Sequence, residues 1–395
     1  MFEYFPGNYT WNMQVMAALG MGGQMSEMDE IMRPLMEASR RMDVAAQEAW
    51  FEGWKKMAQR IERLASEDEA AGRLLSAGRK YVRAGVYFLT AERMISHREQ
   101  KRIETYQKGL DIFKKGVLFL KEPVEFVEVP FQGQSMPALF SKAPGSGKAP
   151  CVVHYNGLDS IKEFIYLSEA ETFRKRGLSL LIVDHPGSGE ALRLRDMHGH
   201  IDTEVSASAC VDYLETREDV DPQRIGMAAL SMGGYYAPRA AAFEKRFKCC
   251  AVLGAFWSLK DLRERVARDQ DLEIMGRGHG ESTSAPGSQE HFIWVFDIQS
   301  ASDAERVFQE MTLEGVADKI TCPLLVIHGQ NDRQVPLDHA RWTVEAAVSS
   351  PKKELKIFTP TEGGVEHCQL DNRTLGVDYM ADWMAEVLGG DPKGV

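Results

Sequence analysis

Three side chains in this sequence are of the types that together activate an oxygen nucleophile: Ser231, Asp332 and His367. A serine hydroxyl attacks a carbonyl carbon well only when a base removes its proton and the backbone presents it. Ser231 closes the apolar run Gly226-Met227-Ala228-Ala229-Leu230 and is followed by Met232-Gly233-Gly234. The run reads as a buried strand, and Tyr235 to Lys245 reads as a helix, which puts the serine on a sharp strand-to-helix turn. Such a turn strains the serine backbone and admits only small residues two positions before and two positions after it. Those positions are Ala229 and Gly233. Glycine is usual at both, so this chain departs from the pattern by one methyl group. A small-x-Ser-x-Gly string is common in proteins, and its weight here comes from the elements around it.

The partners of the serine lie downstream. Asp332 sits in Gly329-Gln330-Asn331-Asp332-Arg333-Gln334-Val335-Pro336, just past the apolar strand Pro323 to His328. His367 sits in the glycine-rich loop Glu362-Gly363-Gly364-Val365-Glu366-His367-Cys368, reached from the strand Glu354 to Phe358. Serine, acid, histidine, each after its own strand, is the order of the α/β-hydrolase fold. Ser231 is then the nucleophile, His367 the general base and later acid, and Asp332 the group that orients the imidazole. Taken singly, each has an ordinary explanation as a helix cap, a turn former or a polar loop residue. The three in order favour the chemistry.

Two more segments fit this frame. Ala149 to Tyr155 reads as a buried strand opening into the turn Asn156-Gly157-Leu158-Asp159-Ser160. In this fold that turn supplies one backbone N–H to an oxyanion hole and the residue after the nucleophile supplies the other, here Leu158 and Met232. Gly157 and Asp159 then border the substrate. The strand Leu178 to Val183 exits through Asp184-His185-Pro186-Gly187-Ser188-Gly189-Glu190, read as a structural loop beside the elbow. Met197-His198-Gly199-His200 with Asp202 is the one close histidine pair, and it reads as a polar surface loop. No metal and no cofactor are expected.

These residues need a scaffold, and the chain supplies one in unusual order. Residues 1–122 are helical in pattern and form an N-terminal cap or lid domain. A helix from Ser26 to Met42 is bent at Pro34, a second is capped by Asp43 and runs through Leu64, a third spans Glu69 to Ser96 and a fourth Arg98 to Leu120. Residues 123–257 are the first part of the core and carry the nucleophile. Strands and helices alternate there as in a mostly parallel sheet with helices on both faces, an α/β architecture. Residues 258–316 read as a helical cap insertion, interrupted by Gly276-Arg277-Gly278-His279-Gly280. Residues 317–395 complete the core with the acid and the histidine. Ten of the 19 methionines fall in the first 57 residues. Most are expected in ordinary core packing, and a few near Phe5, Tyr9 and Trp11 in a pocket for a bulky substrate.

Composition bounds the function. A net charge of −11 and the lack of a basic stripe argue against nucleic acid and against an anionic membrane surface. No apolar run is long enough for a span and no charged-then-apolar leader is present. The six cysteines include no CxxC pair, which suggests reduced thiols and a cytoplasmic protein. The aromatic segment Met1 to Gly23 reads as exposed, which favours a homodimer that buries it.

The leader, the turn Gly157-Leu158-Asp159-Ser160-Ile161-Lys162-Glu163, and the elbow followed by Gly254-Ala255-Phe256-Trp257 carry a family resemblance over nearly the whole chain. They resemble the α/β-hydrolase branch of 2,6-dihydroxypseudooxynicotine hydrolase, the fungal polyketide-shortening hydrolases and the FrsA-type esterases. The resemblance implies a cofactor-independent hydrolase acting on a small-molecule carbonyl compound. Members of that branch cleave a carbon–carbon bond in a 1,3-dicarbonyl type of substrate or hydrolyse simple esters. It also implies an additional cap-side carboxylate near the substrate, placed loosely at Asp261 or Glu264 after Trp257. C–C hydrolysis of a bulky aromatic or polyketide-like diketone is the leading expectation. Carboxylesterase, acyltransferase and a non-catalytic ligand-binding role are the alternatives.

Overall fold

The middle of the sheet grows out of short apolar runs that are buried along nearly their whole length. The computed structural model describes residues 2–41, 43–268 and 286–394. Eight strands are β1 Val124–Phe131, β2 Gln134–Ser141, β3 Ala149–Tyr155, β4 Ser179–Val183, β5 Val220–Leu230, β6 Cys250–Leu253, β7 Leu324–Gly329 and β8 Lys353–Phe358. They are ordered β1-β2-β4-β3-β5-β6-β7-β8. β1 and β2 form an antiparallel hairpin, β2 joins β4 antiparallel, and every later pairing is parallel. The inner strands β3, β4, β6 and β7 are buried on both faces, which is why they read as continuous apolar runs, while the parallel edge strand β8 is only half-buried. Helices Glu204–Glu215 and Gly233–Phe243 pack on each other and on β5, while helix Arg373–Leu388 packs with Glu171–Lys175 and on β5, β6 and β7. This is an α/β-hydrolase sheet, with the expected elbow, acid and histidine all at the carboxyl ends of parallel strands.

The chain divides into two compact units, Met1–Pro123 with Asp271–Trp294, and Val124–Gln270 with Val295–Val395. In the first, helices Val44–Ala70, Leu74–Ala91 and Gln100–Leu120 form the main packing. Helices Leu74–Ala91 and Gln100–Leu120 approach backbone to backbone through glycines seven residues apart on each. A Cβ at Gly78 would lie 3.0 Å from Gly116 O, and one at Gly85 would lie 3.1 Å from Gly109 O. Side chains at these positions would push the helices apart. The long helical reading Glu69 to Ser96 is corrected here: the chain turns at Gly72, whose φ is +74°, and Arg73 N donates to Asp68 O at 2.8 Å. The reading Ser26 to Met42 is likewise divided, into Met25–Met32, a 3-10 turn Arg33–Leu35 around Pro34, and Ala38–Arg41.

Residues 2–23 are largely folded away, where exposure was expected. It contains the helix Tyr9–Gly20, and Phe5, Tyr9, Trp11 and Val15 are buried inside the first unit. An aromatic row runs from Phe5 to Trp11, Trp50, Trp54 and Tyr87, with ring centroids 4.8 to 5.6 Å apart. Of the aromatic side chains in this segment, Phe2 stays exposed. Met13, Met16, Met21, Met28, Met32 and Met57 are buried in the same packing.

In the second unit the helix that starts at Lys162 is interrupted by a π turn, Tyr166–Ala170. The turn carries Glu169 into the core, where it is fully buried, lies 3.0 Å from His154 Nε2 and pairs with Arg373. Of the segment read as an insertion, helices Leu259–Arg268 and Ala301–Glu310 and the bridge of Ser258 with Thr312 belong to this unit, while helix Pro286–Val295 falls in the first unit up to Trp294. The motif Gly276 to Gly280 lies outside the described residues. All six cysteines are buried and none is in a disulfide. Among the described residues no helix is long and apolar enough to cross a membrane.

Candidate active site

Ser231 stands at the end of β5, before helix Gly233–Phe243, with φ at +58°. A β-carbon rarely tolerates that region, and the strain is held by the backbone on either side. Ser231 N donates to Leu253 O at 2.8 Å, and Gly234 N donates to Ser231 O at 2.8 Å. The two small positions of the motif face each other: a Cβ on Gly233 would lie 2.5 Å from the Ala229 Cβ. One methyl group fits between these turns and two do not, which explains how the chain departs from glycine at Ala229 and keeps it at Gly233.

The hydroxyl meets the histidine directly. His367 Nε2 is 2.8 Å from Ser231 Oγ, and His367 Nδ1 is 2.7 Å from Asp332 Oδ2. A carboxylate beside Nδ1 keeps the proton there, which leaves Nε2 to accept from the serine. Asp332 has a side chain only 1% exposed, and its Oδ1 accepts from Gln334 N at 2.8 Å and Val335 N at 2.9 Å. Burial pushes this carboxyl up, but the charge and hydrogen bond of His367 outweigh it and hold it at about 2. For His367, burial works against the charged ring while Asp332 favours it, and the net direction is well above the ordinary value. The loop is fixed behind the ring: Cys368 Sγ donates to Leu253 O at 3.2 Å, and the amides of Val365 and Glu366 donate to Asp371.

On the other side of the serine lies the turn after β3. A Cβ on Gly157 would come within 2.7 Å of Ser231 Cβ and 3.2 Å of its Oγ, so the backbone of this turn rests on the nucleophile. Leu158 is half-buried next to it, and Asp159 is exposed. Met232 caps helix Gly233–Phe243, where main-chain N–H groups lack helical acceptors. Its Sδ accepts from Tyr236 Oη at 3.0 Å. The backbone of the Gly157 turn and the start of helix Gly233–Phe243 thus both border Ser231.

The cap-side residues sit elsewhere in their bonding. Asp261 does not present a free carboxylate: Oδ2 accepts from His339 Nε2 at 3.0 Å and from Arg265 Nε at 2.6 Å. His339 Nδ1 in turn accepts from Trp257 N at 3.0 Å, so Asp261 anchors the chain after β6. Glu264 is exposed on helix Leu259–Arg268. His198 and His200 pair with Asp196 and Asp202, and no cluster suited to a metal exists among the described residues. A cavity of about 580 Å³ in this unit is lined by His200, Arg239, Phe296 and Arg306 among others, and Ser231 is not in its lining.

Sequence reasoning passed over His328. It is buried at the end of β7, accepts from Ala255 N at Nδ1 (3.2 Å), and donates from Nε2 to Val335 O (3.0 Å), with Asp332 Oδ2 at 3.6 Å. Burial lowers its pKa, so it stays neutral and braces the acid loop. The signal was present as the polar residue ending an apolar strand four positions before Asp332.

Comparison with known proteins finds relatives along most of the chain. The prolyl oligopeptidase family matches residues 165–391 and the FrsA-like esterases match residues 46–268. The 2,6-dihydropseudooxynicotine hydrolase of Paenarthrobacter nicotinovorans is 28% identical over 353 residues, 87% of this chain and 86% of that one. The α/β hydrolase gkaG of Penicillium citrinum is 30% identical over 309 residues, 71% of this chain and 72% of that one. A solved structure of the 2,6-dihydroxy-pseudo-oxynicotine hydrolase matches with a TM-score of 0.74 at 25% identity, covering 94% of this chain and 95% of that chain.

Proposed function

The chain belongs to the prolyl oligopeptidase and FrsA-like esterase families of the α/β-hydrolases, and from that premise we propose that it is a serine hydrolase of bulky carbonyl compounds, acting through Ser231, His367 and Asp332. The observation that carries this reading is the continuous chain Ser231 Oγ to His367 Nε2 to Asp332, at 2.8 and 2.7 Å, on a serine held at positive φ. His367 takes the serine proton as Oγ adds to the carbonyl, and Asp332 steadies the imidazolium. The amides of Leu158 and Met232 receive the oxyanion.

The preferred substrate class is a 1,3-dicarbonyl compound with an aromatic or polyketide-like body. Collapse of the tetrahedral adduct breaks the C–C bond and expels the enolate of the second carbonyl. The enolate takes the proton from the His367 imidazolium, and water then releases the acyl group from Ser231 with His367 again as base. The second carbonyl makes the step feasible, because it delocalises the carbanion. The likeness to 2,6-dihydropseudooxynicotine hydrolase along most of the chain supports this choice. The match to FrsA-like esterases favours a second reading, a carboxylesterase whose alkoxide leaving group takes the same proton.

A side-by-side turnover assay separates them, using an aryl 1,3-diketone and a matched aryl ester with Ser231→Ala as control. Faster, Ser231-dependent cleavage of the diketone supports the C–C hydrolase. Turnover of the ester alone makes it an esterase. Equal activity in the Ser231→Ala variant refutes both.

A further inference from the structure

The turn that rests on Ser231 is tied down at both ends by one carboxylate. Asp184, fully buried at the end of β4, accepts at Oδ1 from Asn156 Nδ2 (3.0 Å) and from Lys162 N (2.8 Å). Asn156 begins the turn and Lys162 ends it. Oδ2 of the same group accepts from Lys162 Nζ (3.0 Å) and Glu190 N (2.8 Å). Four donors fill the acceptor sites of a carboxylate, which leaves it one orientation. Lys162, 2% exposed, is itself gripped by Glu163 Oε1 at 2.9 Å and Glu190 Oε2 at 2.8 Å. Arg195 closes the outer side, with NH2 2.8 Å from Glu190 Oε1.

This cluster is costly to build. Taking an ammonium and several carboxylates out of water is a worse way to hold a core together than apolar packing, unless the geometry itself is needed. The geometry here bears on one object. Between its two tethers the chain runs Asn156-Gly157-Leu158-Asp159-Ser160-Ile161-Lys162, with Gly157 against the serine. Backbone donors of an oxyanion hole act only within a few tenths of an ångström of their place.

We propose that Asp184 is the positioning residue of the oxyanion turn, holding the Leu158 amide in place through Asn156 and Lys162, with the Lys162 ammonium locking the carboxylate. The inference rests on the serine-hydrolase reading of Ser231. It assigns to a loop that looks merely structural a direct hold on the half of the site that stabilises the transition state. Because the role is one of positioning, its loss should lower kcat and leave substrate binding nearly unchanged.

The test compares wild type with Asp184→Asn, Asn156→Ala, Lys162→Met and Lys162→Arg, using a 4-nitrophenyl ester, a fluorophosphonate and an aryl trifluoromethyl ketone. The fluorophosphonate counts competent serines, so that kcat is read per labelled site and misfolded protein drops out. The ketone adds to Ser231 and leaves an oxyanion, so its affinity reports the hole. Asp184→Asn is expected to lower kcat per site by about 100-fold, with ketone affinity falling in step and KM nearly constant. Asn156→Ala cuts one tether without touching the charges and is expected to cost about tenfold. It carries the test if Asp184→Asn does not fold. Lys162→Arg, which keeps a cation, should retain more activity than Lys162→Met. Unchanged kcat per site in both tether variants overturns the proposal, and so does a fall in kcat with ketone affinity unaltered. Failure of the hydrolase reading looks different: wild type is then unlabelled, or Ser231→Ala is as active as wild type, before any tether variant is compared.

Discussion

The two sides of Ser231 are held by different physics. On the histidine side a relay of side chains sets the geometry: Ser231, Asp332 and His367 each stand beyond their own strand, the loop amides bond Asp371, and the imidazole meets Asp332, 35 residues away, across 2.7 Å. On the turn side one buried carboxylate, 28 residues from Asn156, binds both ends of the loop. It couples the turn to the spacing of β3 and β4, so it sets where the oxyanion donors stand and makes them sensitive to the packing of that pair.

Each side has its own way of failing, and the largest failures belong to the histidine side. Ser231→Ala and His367→Ala are each expected to lower kcat by about 10⁵ to 10⁶, measured on whichever carbonyl substrate proves best. Asp332→Asn should cost about 10⁴ and also move the pH profile. Activity needs neutral His367, and Asp332 raises the pKa of that ring. Removing the carboxylate charge lowers it, so the acid limb of kcat/KM should shift to lower pH while the plateau falls. A limb that stays in place would mean that the two groups are not coupled.

Intermediate effects belong to the turn. Gly157→Ala adds a methyl group 2.7 Å from Ser231 Cβ, which the turn can accept only by retreating. A displacement of that order costs about 10²-fold in kcat, with little effect on the melting temperature. The smallest effect is one of stability. Burial pushes the Glu163 carboxyl up to about 7 against the pull of Lys162. A carboxyl that holds its proton more tightly when folded contributes stability in full below the unfolded glutamate range and loses it as pH rises through about 7. Melting temperature should therefore fall more steeply from pH 5 to pH 8 in wild type than in Glu163→Gln. Parallel curves would place the titration elsewhere.

The same contrast governs what could be read in advance. Strand β3 coincides with its apolar run, and Ser231, Asp332 and His367 meet as their order in the chain suggested. Each of those inferences needed only a local pattern. Asp184 was seen as a loop residue because its partners become neighbours only once β4 pairs beside β3. Asp261 or Glu264 was placed near the substrate by resemblance alone, and the bonds of Asp261 Oδ2 to His339 and Arg265, the first joining two elements far apart in sequence, carried no sequence signal. The glycine pairs of the first unit were missed for a related reason. Seven-residue spacing of glycine carries no hydrophobic signal, and it acquires meaning only when a second helix carries the same spacing opposite.

The account stands or falls on Ser231. The most direct measurement is intact-protein and peptide mass spectrometry after treatment with a fluorophosphonate, on wild type, Ser231→Ala and Asp332→Asn. One label per chain, mapped to Ser231, absent in Ser231→Ala and slow in Asp332→Asn, is the predicted result. An unlabelled wild type, or a label on another residue that persists in Ser231→Ala, would contradict it.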